Sequence, residues 1–418
     1  MQENTSLLRK ILRHPLAKGS SIVFIGSVAT NVSAWLYQLL VGNILGPEKY
    51  AELAALFALF YLLNVPSGVL QAILVKFFSS LKARGEFGQV KRLFIVATQK
   101  IAFFEFIVLL LAIPIVPLVA NFLHMRSLIY FFWLYLIFVF TTLSVVTGST
   151  LQAFQLFTWS SALANVSMLL RLIFGIISAF FGIGAVLIGN VFSSVLSYLA
   201  YFYPLRFIFK YQTQKLTVSK RAAVQYSVPA FFITLGITAL YTQDILLVKH
   251  FFSNSEAGIY SYLSILGKVV YYASSAVGFV VFPLIAERTE LKSSYNRIVS
   301  VALLFIGFVS FGLTVCYFLF PNLIILPFGP NFQRTVPYLG FFGLFISFYS
   351  LSSILIYIFL AIGKTKIWIL TSCAALGQIV FISLFHSSLY VVIYVNLIMA
   401  MFLFSTLAIY YAYSQKKS

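Results

Sequence analysis

Hydrophobic residues in this chain fall into blocks of about twenty or more, divided by short polar breaks. A helix rising about 1.5 Å per residue needs that length to cross roughly 30 Å of hydrocarbon. The blocks lie near residues 20–45, 51–79, 94–121, 127–152, 158–181 and 184–206, then 222–248, 258–284, 298–320, 336–361, 367–386 and 389–413. The pattern predicts an all-α polytopic membrane protein with about twelve transmembrane helices. The turns between the fifth and sixth blocks, and between the last two, are the shortest.

Composition agrees with the pattern: 61% of the 418 residues are hydrophobic and 9% are charged. Soluble domains run nearer to half apolar and a quarter charged, so the bilayer is the solvent for most of this chain. Cys316 and Cys373 lie inside apolar blocks and offer neither a disulfide framework nor metal-ligand spacing, so no metal is expected. The N-terminus lacks the pattern of a removable signal peptide, and the first span would itself direct insertion. Ahead of it, Leu7, Leu8, Ile11 and Leu12 with Arg9, Lys10 and Arg13 form either a short interfacial helix ending near Pro15 or a plain basic anchor.

The net charge of +19 would suggest nucleic acid in a soluble protein. Here its position makes it a topological signal, and no nucleic-acid partner is expected. Twenty cations fall in the termini and loops of one side, against Lys49, Arg126, Lys249 and Arg334 on the other. Cytoplasmic loops retain Lys and Arg, which places both termini in the cytoplasm of a multi-pass cell-membrane (cytoplasmic or inner membrane) protein.

The longest basic linker separates six blocks from six. The expected domains are a basic N-terminal segment (1–19), a first six-helix bundle (20–207), the linker (208–221), a second six-helix bundle (222–413) and a tail (414–418). Glu48 after the first span and Glu256 after the seventh stand 208 residues apart, as do Ala153 and Ala361. Because six is even, the two halves enter from the same side, a parallel internal repeat about an axis along the membrane normal.

Several segments resemble the Wzx-type (O-antigen) polysaccharide flippases of the multidrug/oligosaccharidyl-lipid/polysaccharide exporter superfamily. They are Leu45-Gly46-Pro47-Glu48-Lys49-Tyr50, Gln243-Asp244-Ile245-Leu246-Leu247-Val248, Ser255-Glu256-Ala257-Gly258-Ile259-Tyr260-Ser261, Leu266-Gly267-Lys268 and Phe282-Pro283-Leu284-Ile285. Leu151-Gln152-Ala153-Phe154 and Ala361-Ile362-Gly363-Lys364 are similar too, while Ala51 stands where the family more often has glycine. The resemblance implies two six-helix bundles that open alternately to either face. It implies movement of a lipid-linked oligosaccharide of polyprenyl-pyrophosphate type, for cell-surface polysaccharide biosynthesis. Membrane lipids, a coupling H+ or Na+ and polysaccharide-assembly enzymes are the partners that go with such a role.

A charge in mid-membrane costs about 2.5 to 3.5 kcal/mol on insertion scales, so each requires a reason. Six stand out: Lys76, Lys100, Arg171, Lys268, Glu105 and Asp244. Arg171, halfway along the fifth span, is the first choice for a substrate anion, because a guanidinium grips phosphate or carboxylate with two parallel hydrogen bonds. The structural alternative is an ion pair with Glu105 or Asp244. Lys268 is deep enough to face a cavity, whereas Lys100 and Lys76 lie nearer the cytoplasmic end, where snorkelling would serve them. Asp244 and Glu105 are candidates for carrying a coupling proton or for fixed counter-ions. Pro66, Pro114, Pro117, Pro229 and Pro283 interrupt spans as hinges or as packing features. Tyr271 and Tyr272, one turn beyond Lys268, are either sugar-stacking rings or packing residues like most of the 46 phenylalanines and 25 tyrosines.

Two other function classes fit less well. A multidrug-type, cation-coupled exporter would want anionic cavity groups, and this chain buries more cations than carboxylates. A membrane glycosyltransferase or saccharide polymerase needs a sizeable catalytic surface, and the loops here carry no acidic cluster, His/Cys site or phosphate-binding glycine loop. The chain is therefore expected to be a transporter without cofactor or catalytic residues, not an enzyme.

Overall fold

A computed structural model describes residues 15–216, 221–290 and 293–415, and all regular structure among them is helical. The helices are α1 (Pro15–Leu45), α2 (Pro47–Leu63), α3 (Val65–Ala83), α4 (Phe87–Phe122), α5 (Ile129–Ala153), α6 (Phe157–Ala179) and α7 (Ile183–Leu205). After the linker come α8 (Arg221–Phe251), α9 (Asn254–Glu290), α10 (Asn296–Leu319), the short α11 (Pro321–Ile325), α12 (Leu339–Ala361), α13 (Trp368–Leu384) and α14 (Leu389–Gln415). Ten stretches among the described residues are long and apolar enough to cross a membrane. Helices α1 and α9, of 31 and 37 residues, cover the other two apolar blocks. The protein is an all-α, multi-pass membrane protein, as the hydrophobic pattern predicts. The basic segment over residues 7–13 lies outside the described residues.

Local chemistry sets the breaks. Gly46 turns the chain between α1 and α2 at φ 75°, a left-handed conformation that glycine adopts freely, and Pro47 then starts α2 with its fixed φ. The second span is one block in the sequence but two helices in the structure. Asn64 closes α2 through its N–H to Phe60 O (2.9 Å), and Pro66, which has no N–H to donate, lies at the start of α3. Helix starts in the first half at residues 47, 87, 129 and 183 recur at 254, 296, 339 and 389. The near-constant interval repeats the order of elements read from the sequence.

By contacts the chain divides into two compact units. Of the described residues, the first contains 15–37, 67–115 and 129–216. Its core is built from Phe78, Val90, Phe94, Val146, Leu151, Leu205 and Ile208, which tie α3, α4, α5 and α7 to the 3-10 turn Arg206–Lys210. Lys91 fastens the start of the linker to α4 by donating to Phe209 O and Tyr211 O, both at 2.9 Å. The second unit contains, of the described residues, 38–66, 116–128, 221–290 and 293–415. Segments 38–66 and 116–128 come from helices assigned by the linker position to the first bundle, yet their contacts lie in this second unit. Two of the divisions fall at Pro66 and between Pro114 and Pro117.

Lipid tails are as apolar as the side chains, so packing within the membrane relies on close approach and interhelical hydrogen bonds. In the second unit Gly258 of α9 meets the backbone of α2 so closely that an added Cβ would sit 2.3 Å from Pro47 O. Gly267 meets the ring of Phe342 on α12 in the same way.

Candidate functional site

In the first unit, Arg171 projects from α6 and is half-buried. Its Nε donates to Asn190 Oδ1 on α7 at 2.8 Å, and its guanidinium lies 4.7 Å from the centre of the Tyr37 ring. Asn190 Nδ2 donates in turn to Tyr37 OH and to Val186 O, each at 2.7 Å. Gly175, one turn beyond Arg171, leaves room for the Tyr37 ring, since a Cβ there would meet it at 2.2 Å. The arginine is thus held at one edge by an amide and on one face by a π system, an arrangement that fixes a guanidinium in place. The ion pair with Glu105 that the sequence allowed is not among the ion pairs of the described residues.

Glu105 is 1% exposed on α4, and both of its carboxylate oxygens are buried without a hydrogen-bond partner. Thr142 on α5 lies within reach of the carboxylate, but its hydroxyl donates to Phe138 O at 2.9 Å. Tyr135 OH donates to the backbone carbonyl of Glu105, at 3.1 Å, and not to its side chain. Lys76 and Lys100 are exposed on α3 and α4.

In the second unit Lys268 is buried on α9. Its Nζ donates to Gln38 Oε1 at 3.1 Å and lies 5.3 Å and 5.9 Å from the ring centres of Tyr241 and Tyr61. Beside it is a cavity of about 20 Å³, roughly the room of one water, lined also by Tyr50, Ser261, Ser264 and Thr242. Tyr271 belongs to the same aromatic group, with ring centres 5.6 Å from Tyr241 and 5.4 Å from Tyr349, and Tyr272 lies 5.6 Å beyond it.

Asp244, within electrostatic reach of Lys268, anchors a buried polar network across α8, α9, α13 and α14. Its Oδ2 accepts from Tyr260 OH at 2.6 Å and from Asn396 Nδ2 at 3.3 Å, and its Oδ1 accepts from the Ile245 N–H at 2.9 Å. Asn396 Oδ1 accepts from Gln378 Nε2 and Gln378 Oε1 from Gln243 Nε2, both at 2.6 Å. The carboxylate has three donors inside the unit and needs no arginine.

Sequence reading missed a further group of charges. Glu52 on α2 is fully buried, and its Oε1 lies 3.0 Å from Arg126 Nε in the α4–α5 turn. Lys249 at the end of α8, 1% exposed, is close enough to interact electrostatically with Glu52 and donates to Asn254 Oδ1. Glu52 falls at the edge of an apolar block, and Arg126 and Lys249 pass for ordinary loop cations. Only tertiary contact makes them one cluster. The amides Asn190, Gln243, Gln378 and Asn396 were visible as polar interruptions of apolar blocks, but interruptions alone do not say which of them meet. No group of three or more His, Cys, Asp or Glu among the described residues is arranged to hold a metal ion.

The model of a family described as "Polysaccharide biosynthesis protein" matches residues 40–337. No curated protein sequence matches the chain. Among solved structures, a lipid II flippase MurJ in an inward closed conformation superposes with a TM-score of 0.71 at 17% identity, over 92% of this chain and 87% of that one. A mutant form of the Vibrio cholerae MATE transporter VcmN gives a TM-score of 0.71 at 12% identity over 100% and 99% of the two chains. A MOP superfamily transporter from Pyrococcus furiosus gives 0.63 at 16% identity over 96% and 97%. At these identities the likenesses concern the fold, and they agree with the superfamily resemblance of the motifs.

Proposed function

Because the chain belongs to the polysaccharide biosynthesis protein family matched over residues 40–337, we propose that it moves a lipid-linked oligosaccharide across the cytoplasmic membrane by alternating access. The observation that carries this reading is that its spans keep two cations, Arg171 and Lys268, each seated on an amide and a tyrosine ring. Such seats present positive charge in fixed directions, as recognition of a pyrophosphate requires. Arg171 is the primary contact. Lys268 stands beside a cavity too small for a phosphate, so it acts on substrate only after the surrounding side chains part. Lys76 and Lys100, both exposed, guide the anionic head group toward these seats. Asp244 serves mainly as a fixed counter-ion within its network, and Glu105 is the candidate for a coupling proton.

The lipid tail stays in the bilayer while the saccharide passes through the polar interior, and both termini face the cytoplasm. Moving anionic charge outward is favoured by an inside-negative potential at about 2.3 kcal/mol per charge per 100 mV. The chain acts as a transporter, not an enzyme, and supplies saccharide to the assembly reactions outside. The test is translocation of a fluorescent lipid-linked oligosaccharide in proteoliposomes. Wild type is expected to translocate it and Arg171→Ala to lose at least tenfold in rate. Equal rates for the two would remove Arg171 from the mechanism, and no translocation by wild type would count against the substrate.

A further inference from the structure

We propose that Glu52, Arg126 and Lys249 form a charged lock that closes the outer ends of the first-half helices against the second half and makes that closure reversible. The inference rests on the alternating-access reading and on the orientation set by the loop cations. Within the second unit, four contacts join the tips of α1, α2 and α4 to second-half elements. Tyr262 OH donates to Gly42 O at 2.8 Å, and Asn43 Nδ2 donates to Phe328 O at 2.7 Å. His250 Nδ1 meets Phe122 O at 2.7 Å, and Gly258 packs on the backbone of Pro47. The charge cluster sits among them, with Glu52 from α2, Arg126 from the turn after α4 and Lys249 from α8.

Neutral contacts alone would make a seal of this kind as dry and permanent as a protein core. Buried charges change that. Closed, Glu52 and Lys249 are out of water and depend on one another and on Arg126 and Asn254; open, each is hydrated. The closed state therefore carries a desolvation cost that the open state does not, and mutual attraction offsets it. Removing Glu52 strands the buried Lys249 beside the like charge of Arg126, and removing Lys249 leaves Glu52 to the largely exposed Arg126 alone; either change should drive the seal open. Removing both takes away cost and attraction together, which should leave it closed.

The test uses the full chain with Cys316→Ser and Cys373→Ser, both native thiols being exposed, and a reporter Ala54→Cys at a buried position lining the cavity beside Lys268. A membrane-impermeant maleimide is added outside intact cells. Labelling is expected to be slow in this parent, at least tenfold faster with Glu52→Gln or Lys249→Met, and no faster than the parent with both. Asn254→Ala, which removes a hydrogen bond to Lys249 without stranding a charge, should label about threefold faster.

Single variants within twofold of the parent, or a double variant that labels faster than either single, overturn the proposal. If the single variants yield no monodisperse protein, the double variant and Asn254→Ala decide it by the same criteria. Labelling requires no substrate, so failure of the lock and failure of the saccharide assignment are read separately.

Discussion

Asn396 holds the Asp244 network together, and replacing it gives a sharp test of how the second unit is stabilised. Asn396→Ala deletes three hydrogen bonds at once: donation to Tyr260 OH at 2.6 Å, donation to Asp244 Oδ2 at 3.3 Å, and acceptance from Gln378 Nε2 at 2.6 Å. Interhelical hydrogen bonds in membranes average about 0.6 kcal/mol and reach about 1.7. One of the three goes to a carboxylate, and hydrogen bonds to charged groups run to about 1.5 to 3 kcal/mol. Gln378 keeps its second acceptor, Leu240 O at 3.2 Å, which limits the loss on that side. The expected cost is about 2 to 4 kcal/mol. It is measured by reversible SDS unfolding in mixed micelles, followed by tryptophan fluorescence. Tyr260→Phe should cost less in the Asn396→Ala background than alone, with a coupling of at least about 0.5 kcal/mol. A loss below about 0.5 kcal/mol for Asn396→Ala, or full additivity with Tyr260→Phe, would refute the account of a connected network.

Gly258→Ala forces a Cβ to within 2.3 Å of Pro47 O, a backbone atom, so it should destabilise the unit by about 1 to 3 kcal/mol in the same unfolding assay. A neutral result would mean that α2 and α9 are free to separate. Arg171→Lys keeps the charge but loses the planar group bonded to Asn190 and stacked on Tyr37, so its translocation rate should fall between those of wild type and Arg171→Ala. A wild-type rate for Arg171→Lys would show that charge alone suffices. Collapsing the membrane potential with an ionophore in the proteoliposome assay should slow outward movement of the anionic substrate. An unchanged rate would remove the potential as a driving force.

The amino-acid order alone dictated the solvent and the succession of elements. Apolar blocks of spanning length admit little besides helices, because a backbone in hydrocarbon must satisfy its own hydrogen bonds. The twelve blocks accordingly agree with the helical segments to within several residues. The half-and-half repeat was legible for the same reason, since spacing along the chain survives folding unchanged. Arg171, Lys268 and Asp244 stood out because charge is costly in a membrane wherever it ends up.

Helix packing determined what each charge meets. Arg171 sits on Asn190 and Tyr37, with Glu105 unbonded to it, and Asp244 is held by Tyr260, Asn396 and its neighbouring N–H. Residues 38–66 and 116–128, first-half by sequence, make their contacts among second-half helices. Glu52, Arg126 and Lys249 come from three separate stretches of chain, and none is conspicuous alone. Span-length hydropathy is a local sum that one strand of text can carry. A buried charge cluster is a coincidence of distant positions, fixed only when helices pack.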